Sequence, residues 1–403
     1  MSDVAMFGFT SMLVCFVFST YFITRAPEDF FPEEYEFSSD PIWYILAFLF
    51  VGGTGTFILF PEHMDTIKDY KIWDFILPII FAAIIYIAYL IGNEWFSNFL
   101  IFTLAYIMCL IQPDTFILFP EHLEPWQDRL VVSAILFTIT KGLGLLNGLA
   151  AIASMQFLCV MISTIALYFL GVAPSILFVM AMCYTGVMLS FAFLSWPPEK
   201  LLMNNDAWSS LGFVLGCFAL NMAVECSDAS IFIALSYLFT EVIMAVYNKY
   251  IANKSYEHLY MSTSYYTISN EGEEEERVVY GVLKIFIVCV LLSMAQTISI
   301  ERIALPVFSV ALNLWFLSIL SGETKPEGFF SITKLGFRTV KKILSQSSGV
   351  ETVEVVEVEE DKSTVKKKAN PKKAKKTAPT KTTTKNKTTN TKKKDTVKNS
   401  KSK

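Results

Sequence analysis

Long apolar blocks recur along the first 321 residues, and they constrain the fold more than any other feature of the chain. Each block is about 17 to 22 residues long, which at 1.5 Å per residue matches a hydrocarbon core of about 30 Å. Of the 403 residues, 53% are hydrophobic, so the blocks leave little polar sequence between them. The chain is therefore predicted to be an all-α, polytopic membrane helical bundle.

Loop charge decides how many blocks cross the membrane, because cytoplasmic loops are rich in Lys and Arg. If Phe96–Ile111 does not cross, Lys68, Lys71, Lys200 and the Lys-rich tail share the inner side, and the acidic loop 25–40 faces outward. We therefore expect about ten transmembrane helices, or eleven if that block crosses, with residues 96–128 as an outward-facing, partly embedded excursion. The ten blocks are 5–23, 41–60, 74–92, 130–147, 151–171, 174–195, 209–224, 229–247, 279–299 and 301–321.

Charge divides the chain into an acidic body and a basic tail. Residues 362–403 contain 17 Lys and one Asp, although the formal net charge of the whole chain is only −4. We expect a membrane domain over 1–325, an amphipathic interfacial helix over 326–348, and a disordered tail, acidic and then Lys-rich, over 349–403. The tail is expected to bind anionic lipids on the cytoplasmic side, and nucleic acid is disfavoured because aromatic residues for base stacking are absent.

An eight-residue identity, TFILFPEH, occurs at Thr56–His63 and again at Thr115–His122. Its flanks agree only loosely, so it indicates a local duplication and not a repeat architecture. Each copy offers a Glu-His pair that could act as an acid-base or ligand pair. The alternative is a helix that stops at proline and is followed by solvated polar residues.

Two polar elements interrupt the apolar blocks. In Trp196–Phe213, two prolines and Lys200 precede Asn204, Asn205 and Asp206. In 129–153, Lys141 lies near a helix end and is followed by a loosened stretch that contains Gly144 and Asn147. A carboxylate and several amides at the mouth of a helical bundle indicate a candidate site.

In this order, the polar elements resemble those of the polyprenyl-phosphate N-acetylhexosamine-1-phosphate transferases, the MraY and WecA superfamily of glycosyltransferase family 4. The resemblance covers about residues 41–300. Its elements are the segment that starts at Ile58 (ILFPEHMDTIKDYKIW), Gly144–Ala151 (GLLNGLAA), Pro197–Phe213 (PPEKLLMNNDAWSSLGF) and His258–Met261 (HLYM).

The resemblance implies Mg²⁺-dependent transfer of a sugar 1-phosphate from a UDP-sugar to a polyprenyl-phosphate lipid, in the synthesis of cell-envelope glycans. It also implies a bacterial inner (plasma) membrane location, and a second copy of the chain is a further candidate partner. The residues that it places in the site are Asp206, Glu62 and His258 for catalysis, Asp206 and Glu62 for the metal, and Asn147, Asn204, Asn205, Lys200 and Lys141 for substrate binding.

Most aspartates of the family pattern are replaced in this chain. Gly144 and Asn147 stand at the two aspartate positions of the second element, and Asn205 stands at that of the third. Asparagine keeps the shape of aspartate but not the charge that holds Mg²⁺. The chain is therefore expected to be impaired or non-catalytic, unless a one-residue bulge brings Asp206 into the metal position.

Two further functions stay open at this stage. The first is a non-catalytic membrane scaffold that binds a lipid or a protein. The second is a transporter, for which the mid-span Glu241 is the sole indication, because a charge there must either pair inside the bundle or line a pathway.

Overall fold

The computed structural model describes residues 3–25, 41–59, 73–111, 118, 123–148, 150–196, 203–226, 230–251, 263, 275–297 and 304–320. Apart from an isolated bridge residue at Met203, the regular elements in these ranges are helices, and the all-α prediction is confirmed for them. All of them belong to the first of two compact units, Met1–Ser347. The predicted interfacial helix, 326–348, and the predicted tail, 349–403, lie outside the described residues.

The long helices follow the predicted apolar blocks closely. Their bounds are α1 Asp3–Arg25, α2 Pro41–Leu59, α3 Trp73–Leu90, α4 Glu94–Ile111, α5 Pro125–Leu145, α6 Ala150–Phe169, α7 Ser175–Leu194, α8 Asn205–Glu225, α9 Ser230–Ala234, α10 Ser236–Val246, α11 Glu275–Gln296 and α12 Ala304–Leu320. A short 3₁₀ turn, Leu146–Gly148, follows α5, and a π-helical turn, Tyr247–Ile251, follows α10.

Several of these helices have the length and composition of membrane spans. In the described part of the chain, α1, α4, α6, α7, α8 and α11 are long and apolar enough to cross a membrane, and shorter apolar helices lie within α2, α3 and α12. Helix α5 is similar in length but carries Asp128, Arg129 and Lys141. These helices support the expectation of an integral membrane protein.

Contacts between neighbouring helices fix the direction of α4. The Nζ of Lys141, near the end of α5, donates a hydrogen bond to the hydroxyl of Tyr89, near the end of α3, at 2.9 Å. The Sγ of Cys109, near the end of α4, lies 3.7 Å from the Oγ of Ser133, near the start of α5. Helices α3 and α5 are therefore parallel, and α4 runs antiparallel to both. A tight turn at Gly92, with a φ of 78°, reverses the chain between α3 and α4.

This geometry contradicts the interpretation of residues 96–128 as an excursion on one side, because α4 runs the length of the bundle. We call the end that holds Tyr89, Leu145 and Asn205 the site end, and the opposite end the far end. The helix ends that flank residues 60–72 lie at the far end, where the last turns of α2 meet the first turns of α3. Lys68, Lys71 and Lys200 lie outside the described residues, so the expectation that they share a side stays a prediction.

Helices α1 and α7 pack in parallel and extend this arrangement. The Oγ atoms of Ser19 and Ser190, both in the second half of their helices, are hydrogen-bonded at 2.6 Å. Trp196, just after α7, makes an edge contact with Tyr280 in the first turns of α11, with ring centroids 5.5 Å apart. The ends of α1 and α7 and the start of α11 therefore lie at the site end.

Helices α5 and α8 pack with their backbones in close contact. A Cβ placed on Gly212 would lie 2.7 Å from the carbonyl oxygen of Thr140, and one on Gly216 would collide with the side chain of Leu136. Both glycines are on α8, four residues apart, and both face α5. Small residues at this spacing let two membrane helices bring their backbones into contact. The contact continues to the site end, where the candidate polar residues lie.

The direction of α4 can be tested by cysteine labelling at Asn93 and Glu124. Both residues are exposed and both provide a cap for a helix, so replacing either by cysteine should cost a similar, small amount of about 1 kcal/mol. We expect a membrane-impermeant maleimide to label the two variants from opposite sides, because α4 lies between them. The background should carry Cys15→Ala and Cys226→Ala, since the other five native cysteines are buried. Labelling of both positions from the same side would instead support the interpretation of residues 96–128 as an excursion on one side of the membrane.

Candidate functional site

Asn147 joins the end of α5 to the start of α8. Its Nδ2 donates hydrogen bonds to the carbonyl oxygen of Met203, at 2.6 Å, and to Oδ1 of Asn205, at 2.8 Å. The side chain is 4% exposed, and both of its amide hydrogens are used by these two bonds. Asn147 and Asn205, which were predicted to bind substrate, therefore bind each other.

Asn204 starts helix α8. Its backbone is extended and its Oδ1 accepts a hydrogen bond from the backbone N–H of Ala207, at 2.7 Å, which is the standard role of asparagine at a helix N-cap. The amide oxygen of Asn204, also predicted to bind substrate, is therefore engaged in capping. The three amides of the candidate site make local contacts that fix where α8 begins.

Charged side chains gather beside the amides. The ammonium of Lys141 donates to the Tyr89 hydroxyl and lies 5.0 Å from the centroid of the same ring. Asp206 lies in the first turn of α8 and Glu94 in the first turn of α4, so both carboxylates belong to the site end. The observed partner of the Lys141 ammonium is the hydroxyl of Tyr89.

The sequence analysis missed Tyr89 and Glu94. Both belong to the segment YLIGNE, in which an apolar run ends at a Gly-Asn turn and an acidic residue opens the next helix. This pattern is typical of a short connection between two antiparallel helices. This pattern could have identified Tyr89 and Glu94 as site residues only if α4 had been predicted to cross the membrane. With residues 96–128 as an excursion, both residues would lie at the opposite end of the bundle from Lys141.

Three predicted site residues, Glu62, His258 and Lys200, lie outside the described residues. Their convergence with Asp206 therefore stays a prediction. Of the predicted set, the structure brings together Lys141, Asn147, Asn204, Asn205 and Asp206 at the site end.

The described residues do not fit the Mg²⁺ site that the resemblance implies. A Cβ on Gly144 would lie 2.7 Å from the backbone oxygen of Asn205 and would collide with the Oγ of Ser209, so an aspartate cannot stand there without moving α8. Within the described ranges, no three His, Cys, Asp or Glu side chains lie close enough together to hold a metal ion. The Oδ1 of Asn147 is a buried acceptor with no hydrogen-bond partner, but a single neutral oxygen supplies no charge for a hard cation.

Glu241, the indication for a transporter, lies in α10 and is 1% exposed. Its Oε1 accepts a hydrogen bond from the hydroxyl of Tyr237, one turn earlier, at 2.8 Å. A buried carboxyl group that is hydrogen-bonded within its own helix fits structural pairing better than a pathway. The contact of Glu241 therefore favours a structural role for this carboxyl group over the transporter interpretation.

A wholly apolar groove of about 540 Å³ lies between α6, α7 and α11. It begins near the Trp196 side of the site end and passes the middle of α6. Its wall includes Phe193, which is 74% exposed. Other residues that line it are Leu158, Cys159, Ala192, Phe286 and Ile287.

No protein-family model matches the chain, and no curated protein sequence matches it. The resemblance to the polyprenyl-phosphate transferases therefore rests on the order and spacing of the quoted motifs.

The hydrogen bonds of Asn147 predict that two aspartate substitutions differ in cost. Asn147→Asp removes both hydrogen-bond donors, so the Met203 carbonyl oxygen loses its partner and a carboxylate oxygen faces Oδ1 of Asn205. We expect this substitution to destabilise the protein by about 1–3 kcal/mol. Asn205→Asp keeps an acceptor for Asn147 Nδ2 and should cost clearly less. Thermal unfolding of the detergent-solubilised variants at neutral pH measures the difference. Equal losses, or a larger loss for Asn205→Asp, would contradict the assigned bonds.

Proposed function

We propose that this chain is a divergent integral membrane protein of the polyprenyl-phosphate phosphosugar transferase type that no longer performs Mg²⁺-dependent transfer. The observation that carries the proposal is the hydrogen bond between Asn147 and Asn205. The family pattern has a carboxylate at each of these positions. Two carboxylates whose oxygens lay at the 2.8 Å that separates the two amides would repel each other without a cation between them. Two amides need no cation, because one donates to the other.

The lack of space at Gly144 supports the same proposal. The third expected carboxylate would have to displace the backbone of Asn205 and the side chain of Ser209. Helices α5 and α8 are therefore packed for a site without an acidic side chain at this position. The remaining carboxylate, Asp206, lies in the first turn of α8, next to Asn205.

The helix directions support eleven membrane crossings, with α9 and α10 as one passage that is interrupted at Leu235. The seven residues between α11 and α12 are too few to return along α11, which is about 33 Å long, so α12 starts at the far end and finishes at the site end. The chain beyond it is rich in Lys, and the positive-inside rule then places the site end in the cytoplasm. An inner-membrane protein with a cytoplasmic tail is part of the proposal.

The direct test of the proposal measures release of UMP from UDP-N-acetylhexosamines with polyprenyl phosphate, in the presence and absence of Mg²⁺. We expect no Mg²⁺-dependent release by the purified full-length protein. The double variant Asn147→Asp/Asn205→Asp should gain Mg²⁺ affinity, seen as a Mg²⁺-dependent rise in its unfolding temperature, because the amides already occupy the shape of carboxylates. The matched control is the unmodified protein, whose unfolding temperature should not respond to Mg²⁺.

One result would reverse the proposal. If the unmodified protein turns over a UDP-sugar and Asp206→Asn abolishes the turnover, Asp206 occupies the metal position through a one-residue bulge. The chain would then be an active transferase.

A second candidate function is a non-catalytic scaffold that binds a lipid, and the apolar groove favours it. Its lining offers no polar group, so its complement is a hydrocarbon chain from the membrane.

Filling the groove tests the lipid-binding candidate. Ala192→Trp places an indole in the groove, and we expect lipid that co-purifies with the protein to fall by at least about twofold, measured by mass spectrometry of lipid extracts. Ile84→Trp is the matched control, because Ile84 is exposed on α3, outside the groove. If both variants retain the same lipid as the unmodified protein, the groove holds no specific chain.

A further inference from the structure

A lysine interrupts the exposed apolar surface of α11. Lys284 is exposed and lies near the middle of this helix, which is long and apolar enough to cross a membrane. A charged side chain at such a position is costly unless its ammonium reaches polar surroundings or meets an anion. In the described part of the chain, no hydrogen bond or ion pair joins Lys284 to another residue. Its charge is therefore available to an anion from the membrane.

Helical spacing places Lys284 beside the apolar groove. Positions i, i+4, i+7 and i+11 of a helix share one face, and Tyr280, Lys284, Ile287 and Leu291 follow this spacing along α11. Ile287 and Leu291 line the groove, and the side chains of both are more than half exposed. Tyr280 contacts Trp196, which lines the groove at the site end. Lys284 therefore lies on the rim of the groove, between its mouth at Trp196 and its apolar wall.

The Lys284 side chain leaves its helix in the direction of the site end. The Cα–Cβ bonds of a helix tilt toward its N-terminus, and α11 starts at the site end. A lysine can therefore extend along its own helix by about one turn, here to the level of Tyr280. Tyr280 and Trp196 form an aromatic pair of the kind found where hydrocarbon meets the headgroups of a bilayer. An apolar groove for a chain and a cation for a headgroup thus follow one another along α11.

We propose that the groove binds an anionic phospholipid of the bilayer, with one acyl chain between α6, α7 and α11 and its phosphate on the ammonium of Lys284. The proposal rests on the lipid-binding candidate function and adds the class of headgroup. The charge of Lys284 selects an anionic lipid, because the wholly apolar lining of the groove accepts the chain of any lipid.

The groove belongs to a different part of the bundle from the candidate site. Asn147, Asn205 and Asp206 lie at the junction of α5 and α8, and neither of these helices lines the groove. We therefore assign the groove to a lipid that stabilises the bundle and not to a substrate. The competing explanation is that Lys284 only extends to the membrane interface and selects no headgroup. The two explanations predict different results when the ammonium is removed.

The experiment measures which lipid the full-length protein retains from bilayers of equal parts phosphatidylglycerol and phosphatidylcholine. The two lipids carry the same acyl chains and differ in the charge of the headgroup. The protein is extracted in detergent with about 0.5 M salt, which screens the attraction of lipid to the Lys-rich tail, and bound lipids are counted by mass spectrometry. We expect phosphatidylglycerol to exceed phosphatidylcholine on the unmodified protein. Lys284→Gln should lower this ratio by about fivefold, the effect of one lysine near an anionic headgroup.

Three control variants isolate the charge of Lys284 as the cause. Lys284 is exposed, so replacing it requires no repacking of the bundle, and Lys284→Arg should keep the ratio because it keeps the charge. Lys249→Gln is the matched control and should also keep the ratio, because Lys249 lies in the π-helical turn after α10, outside the groove. Ala192→Trp fills the groove and should abolish the preference. Lys284→Gln should then add nothing, since both substitutions act on the same lipid.

The outcomes separate this proposal from the function on which it rests. If Lys284→Gln leaves the ratio unchanged while Ala192→Trp loses lipid, the anionic assignment is overturned and the groove remains a site for a hydrocarbon chain. A fall in the ratio that persists in full in the Ala192→Trp background also overturns the proposal, because the anionic lipid then binds elsewhere. If neither variant loses lipid, the proposal and the lipid-binding candidate are both overturned. The transferase proposal is tested separately, by release of UMP.

Discussion

The close approach of α5 and α8 is the constraint on which the rest of the site depends. Gly212 and Gly216 let the α8 backbone rest against Thr140 and Leu136, and Gly144 lets the start of α8 rest against the last turn of α5. Helices in a membrane gain no hydrophobic free energy from leaving lipid, so such contact has to be held by dispersion and polar bonds. The hydrogen bonds of Asn147 provide the polar contacts between α5 and α8. They lie at the end of the interface, just after α5 and at the start of α8.

This packing also determines which chemistry the site can support. A carboxylate at Gly144 would separate the helices, and a carboxylate at Asn147 would remove the bonds that join them. The features that hold α5 against α8 are thus the same ones that oppose a metal site. The neutral amides of Asn147 and Asn205 hold the two helices in register without a carboxylate at either position.

Periodicity and apolar length predicted the helices well, because each membrane passage must be a helix of nearly fixed length. The direction of α4 could not be obtained in the same way. The prediction from loop charge relied on Lys68 and Lys71. The direction of α4 instead follows from the tight turn at Gly92 and the hydrogen bond between Lys141 and Tyr89, which only the structure shows. The omission of Tyr89 and Glu94 followed from this error. Motif order did predict that Asn147 and Asn205 belong to one site, but not that each would be the other's partner.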